Sequence, residues 1–94
     1  MTTYFLPSAG GFHEGQRVRV LVPCSGADHE DIEHQLPAGR VGTIEHINRY
    51  PSPQGLAFTV YVPVDGERGI TNVFDESDGD IRDFIEPETV AGSN

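Results

Sequence analysis

LAFTVYVPV, residues 56–64, alternates apolar and polar side chains, and that alternation sets the fold class. Phe58, Val60, Val62 and Val64 fall on one side; Thr59, Tyr61 and Pro63 fall on the other. A period of two is the mark of a strand with one face in a core. Pro63 has no N–H to give to a ladder, which predicts an edge or a bulge at that position. Asp65-Gly66 follows at once and predicts a hairpin turn, with GITNVF (69–74) as the returning strand.

Upstream, RVRVLV (17–22) alternates in the same way, with Val18, Val20 and Val22 on one face. RVGTIEHI (40–47) is a further strand whose apolar residues Val41, Ile44 and Ile47 break the alternation. That break predicts a bulge or bend, with Gly42 as its natural place. DFIE (83–86), just before Pro87, suits a short closing strand. Two segments invite helix: a single turn near 77–82, and DHEDIEHQL (28–36), which ends at Pro37. The second is readable as two helical turns capped by Ser25 or Asp28, or as irregular loop. Residues 1–14, with Ser8-Ala9-Gly10-Gly11, read as a flexible arm, and 88–94 as a flexible tail.

Five short strands separated by turn signals predict an all-β chain, a single small barrel over 15–87 with a long first loop. Gly15-x-x-Val18-x-Val20, then Gly39-x-x-Gly42-x-Ile44-x-x-Ile47, then 56–64 and Phe84-Ile85-Glu86-Pro87 together resemble an SH3-like barrel. The glycine spacing of the second strand is similar to a KOW-type element. Members of that type which bind RNA are basic in the first loop; here residues 23–38 are acidic. The long loop looks more like the barrels that serve as accessory subunits of electron-transfer complexes. That resemblance implies a part that positions partners and carries no cofactor. No functional residue transfers through it one by one.

The 94 residues hold fifteen acids against six bases, all arginine, for a formal net charge of -9. We have no physical account of the missing lysines. Phosphate backbones are bound through clustered bases, so nucleic acid is disfavoured, as are anionic membrane surfaces. One cysteine cannot make an internal disulfide, which fits a reducing, cytoplasmic compartment. The N-terminus has no basic n-region, and no stretch is long and apolar enough to span a bilayer.

CSGADHEDIEHQL (24–36) carries the one candidate metal set, Cys24, His29 and His34. Zinc wants about four ligands, commonly in closer pairs. On a helix His29 and His34 would sit ~140° apart at ~3.6 residues per turn, on different faces. A solvated loop is the simpler reading. A redox or nucleophilic role for Cys24 lacks a second cysteine or a histidine partner at a known spacing. FDESDGDIRDFIE (74–86) places Asp78-Gly79-Asp80 as in a calcium loop, but aligning Gly79 puts Phe74 and Ile85 at ligand positions, so the motif fails. Arg17, Arg19 and Arg40 would share an outer face if strands 17–22 and 40–47 pair, with Glu45 as the expected partner. Tyr50-Pro51-Ser52-Pro53-Gln54-Gly55 is a stiff hairpin loop, and Tyr50 and Tyr61 are its candidate aromatic surface.

No nucleophile–base set, phosphate loop or dinucleotide fingerprint is present, and the expectation is a non-enzyme. The leading reading is a small acidic interaction module, an accessory or adaptor subunit for a basic protein. Asp75, Glu76, Asp78 and Asp80, with Asp28, Asp31, Tyr50 and Tyr61, are its candidate contacts. Two alternatives stand beside it: a decoy that mimics nucleic-acid charge, and a metal-binding module on Cys24, His29 and His34. Exposed strand edges leave a homodimer open.

Overall fold

The structure, a computed structural model, describes residues 4–88. Among the described residues ten strands run β1 (Tyr4–Phe5), β2 (Ser8–Ala9), β3 (Phe12–His13), β4 (Arg17–Val20), β5 (Cys24–Ala27), β6 (Glu33–Leu36), β7 (Val41–Arg49), β8 (Leu56–Pro63), β9 (Gly69–Asp75) and β10 (Ile85–Pro87). A 3-10 turn at Ile81–Asp83 precedes β10. The described residues contain no α-helix.

The main sheet has the order β10-β4-β7-β8-β9, all antiparallel. The strand read at 56–64 is β8, with one face in the core as its alternation predicts. Phe58, Val60 and Val62 are fully buried, and the returning strand pairs Val62 with Ile70 and Phe58 with Phe74. The strands read at 17–22 and 40–47 do pair, with Val18 opposite Gly42. The last strand comes back beside the first, Ile85 opposite Val20. Their inward residues, Val18, Val20, Ile44, Ile47, Phe58, Val60, Val62, Ile70 and Ile85, make one core. Two small hairpins, β2–β3 and β5–β6, flank it.

Three local expectations need correction. The register of β7 and β8 shifts between Ile44 and His46, so the bulge falls at Glu45 rather than at Gly42. The extra residue there is what resets the phase between inward Ile44 and inward Ile47. Gly42 has another use: a Cβ there would stand 2.6 Å from the Tyr61 carbonyl oxygen and 3.0 Å from Val60 Cγ1. Next, residues 28–36 form neither helix nor irregular loop but the end of the β5–β6 hairpin, with Cys24 opposite Leu36 and Gly26 opposite His34. Last, residues 4–14 of the stretch read as a loose arm are packed along the body; 1–3 lie outside the described residues. Phe5 pairs with Asn48, and Leu6 N–H donates to the Ile47 carbonyl. Phe12 is buried, its ring T-shaped to Phe58 with centroids 5.9 Å apart, and the Arg82 guanidinium lies over the Phe12 ring, 5.6 Å from its centroid. Glu88, first residue of the expected tail, bonds Arg17 at 2.8 Å; 89–94 lie outside the described residues.

Because a Cβ at residue 42 has no room against β8, Gly42→Ala should destabilise the fold by about 1–3 kcal/mol, the usual cost of an overpacked site. Gly66, with open space around it, gives the control: Gly66→Ala should stay within about 0.5 kcal/mol. Urea unfolding of both variants checks this.

Candidate interaction surface

The first-loop hairpin is built around one buried carboxylate. Asp28 is 5% exposed. Its Oδ1 accepts the backbone N–H groups of Glu30 at 2.7 Å and Ile32 at 3.1 Å, which shapes the turn. Asp31 then takes the left-handed conformation, φ 63°, which an aspartate tolerates better than most residues. The other oxygen, Oδ2, faces His34 on β6. A carboxylate can only accept, so His34 Nε2–H is the donor, at 2.7 Å. That bond, aided by the backbone donors, holds the Asp28 carboxyl down to about 2, against the opposing effect of burial.

Arg68 ties this turn to the β8–β9 turn. Its Nε donates to Glu30 Oε1 at 2.7 Å and stands 3.4 Å from Asp28 Oδ2. Asp65 faces it at 3.7 Å and also accepts the backbone N–H groups of Glu67 and Arg68. Further down the hairpin, Asn72 Nδ2 donates to the Ser25 carbonyl, and Gly26 packs against Ile70. The long loop is therefore a fixed ridge along β9.

Candidate residues sort differently from the expectation. Asp28 is a structural group inside the ridge, not a surface contact, because both oxygens are engaged within the chain. Asp31 is exposed at the tip. Of the rim acids, Asp75 Oδ1 accepts Ser77 N–H and hydroxyl, Glu76 Oε1 accepts Leu56 N–H at 2.8 Å, and Asp80 caps the 3-10 turn through Arg82 N–H. These three hold their own loops. Asp78 and Asp83 stand exposed with side chains that make no hydrogen bond or ion pair among the described residues.

Tyr61 lies across Gly69, so close that a Cβ at Gly69 would overlap its ring. Tyr50 begins the loop after β7. Tyr50 lies opposite Gly55, six residues along the ladder from Tyr61 and so about 20 Å away at ~3.4 Å per residue. The metal set does not assemble. Cys24 is buried against the core and its thiol is pushed up by burial. His34 is turned to Asp28, and His29 is exposed at the tip. Among the described residues no three His, Cys, Asp or Glu side chains converge on a metal position. No described helix is long and apolar enough to cross a membrane.

The sequence reading missed Arg68. It lies far from Glu30 and Asp28 along the chain, and no local pattern announces the meeting. It also misplaced the arginine pairs. Arg17 goes to Glu88 and Arg19 to Glu86 and the Gly39 carbonyl. Arg40 donates to the Pro63 and Val64 carbonyls, leaving Glu45 exposed. No family model matches this chain, and neither the curated proteins nor the solved structures give a match.

Asp28 has its folded pKa depressed below the ordinary 3.8. Its contribution is therefore fully present above about pH 4 and lost as pH falls through about 2. Asp28→Asn should lower the urea midpoint at pH 7. The gap to wild type should narrow as pH drops across that window, as followed by circular dichroism.

Proposed function

We propose that this chain is a small acidic, non-catalytic protein-interaction module, an accessory or adaptor subunit for a basic partner, built as an SH3-like barrel. The barrel reading is supported by the return of β10 to the side of β4 and by the β5–β6 ridge lying over β9. Sheet edges covered in this way leave one core enclosed by strands.

One observation carries the interaction reading. Five of the six arginines are turned back onto the chain: Arg17 to Glu88, Arg19 to Glu86, Arg68 to Glu30, Arg40 to carbonyls, and Arg82 to the Gly10 carbonyl and the Phe12 ring. Glu33, Glu45, Glu67, Asp31, Asp78 and Asp83 are exposed. The charge of -9 is thus presented outward with little positive relief. Such a field speeds encounter with a basic protein and repels phosphate backbones.

The test is a pull-down from lysate of the source cells with the wild type and with Asp31→Asn, Asp78→Asn, Asp83→Asn combined. These substitutions leave the loop-building bonds of Asp75, Glu76 and Asp80 in place. A partner captured at low salt should be released as salt rises from about 0.05 to 0.5 M, where screening shortens to a few ångströms. The triple variant should bind it several-fold more weakly. A complex indifferent to both would overturn the reading.

A further inference from the structure

The outer face of the central strands carries apolar surface that the fold does not use. Phe5 is 69% exposed and Val73 is 54% exposed. They lie on one strip. Val73 on β9 is opposite Thr59 on β8, which is opposite His46 on β7. Phe5 on β1 meets the His46 ring edge-on, centroids 5.7 Å apart. Three inter-strand gaps of ~4.8 Å make the strip about 15 Å across. Phe5 and Val73 mark the two ends of the strip, with Thr59 and His46 between them.

Its border is acidic. Glu14 Oε2 stands 3.8 Å from His46 Nδ1. Glu45, the extra residue of the bulge, is exposed beside His46. Asp75 ends the adjacent row, in register through Ala57 and Asn48 with Phe5. Arg17 and Arg19, which register places on the same face opposite Thr43 and Val41, are already paired with Glu88 and Glu86.

We infer that this strip docks a lysine- or arginine-rich segment of the partner protein, with aliphatic side chains seated against Phe5 and Val73 at its two ends and its cations on Glu14, Glu45 and Asp75. The choice of occupant follows from charge. A second copy would bring one acidic border onto another at -9 per chain, whereas a cationic segment meets complementary charge at Glu14, Glu45 and Asp75. The inference rests on the interaction reading above and names the face that serves it.

The probe is a short blocked peptide of lysines with two leucines between them. A second peptide, with the leucines replaced by serine, has the same charge. Amide chemical shifts of the full chain are followed during titration. The leucine peptide should bind roughly tenfold more tightly, the weight of burying a leucine or two, and should move residues 5, 46, 59 and 73 most. Phe5→Ser with Val73→Thr should erase that advantage and leave serine-peptide binding intact. Both residues lie outside the core, and circular dichroism checks that the variant folds. Asp78→Asn with Asp83→Asn, which leaves Phe5, Val73 and Asp75 unchanged, should preserve the advantage. Equal binding of the two peptides, or a leucine advantage that survives the double substitution, overturns the strip while the acidic module stands. Failure of both peptides to bind overturns both. A dimer in sedimentation that Phe5→Ser dissolves would make a second copy the occupant and overturn the inference.

Discussion

The backbone of β7 must pass β8 at contact distance where residue 42 faces the Tyr61 carbonyl, and only a residue without a side chain permits it. That one approach sets the geometry of the sheet. β7 spans Val41–Arg49 and serves two neighbours on its other edge in succession: β4 along residues 41–43, then β1 along 48–49. A straight strand could not do both and keep its apolar residues inward. The bulge at Glu45 supplies the change of phase, so that Ile44 and Ile47 both reach the core. The strands on either side inherit their positions from this bent element.

A second constraint governs the first loop. Acids and histidines at 28–34 favour solvent, and nothing in the segment would bury it unaided. It is ordered because Asp28 satisfies two backbone donors and one side-chain donor at once. A buried carboxylate with fewer partners would cost stability; with all of them met it specifies one conformation. Arg68 extends that network across to the β8–β9 turn. The exposed acids at the tip and rim are thus carried on rigid supports, which limits the ordering cost of any contact they make.

How much of this was legible in the sequence depends on the distance over which each feature is decided. Strand 56–64 and its inward face follow from neighbouring residues, and Phe58, Val60 and Val62 sit where alternation puts them. The Asp65-Gly66 turn is local in the same sense, although Val64 N–H bonds the Arg68 carbonyl and makes the loop longer. The β5–β6 hairpin is not local. Its turn depends on Asp28 reaching His34 and on Arg68 arriving from another hairpin. Phe12 illustrates the same limit: glycines around it suggest a loose arm, yet Phe58 offers it an aromatic edge inside the core. Asp75, Glu76 and Asp80 read as free charge because their hydrogen-bond partners, mostly backbone N–H groups, are invisible in a string of letters.

The pairing of Val20 with Ile85 has a consequence for how the chain reaches this state. The β7–β8–β9 meander joins segments that are close in sequence, and its loops close at small entropic cost. The β4–β10 ladder closes a loop around nearly the whole described chain. Contacts of such separation are slow to gather, because the entropy of the enclosed segment is lost before they contribute. The meander is therefore the natural seed, and β10 the last strand to dock. The edge of β4 stays open until it arrives, which makes the folding chain most exposed to mispairing just before β4 and β10 meet.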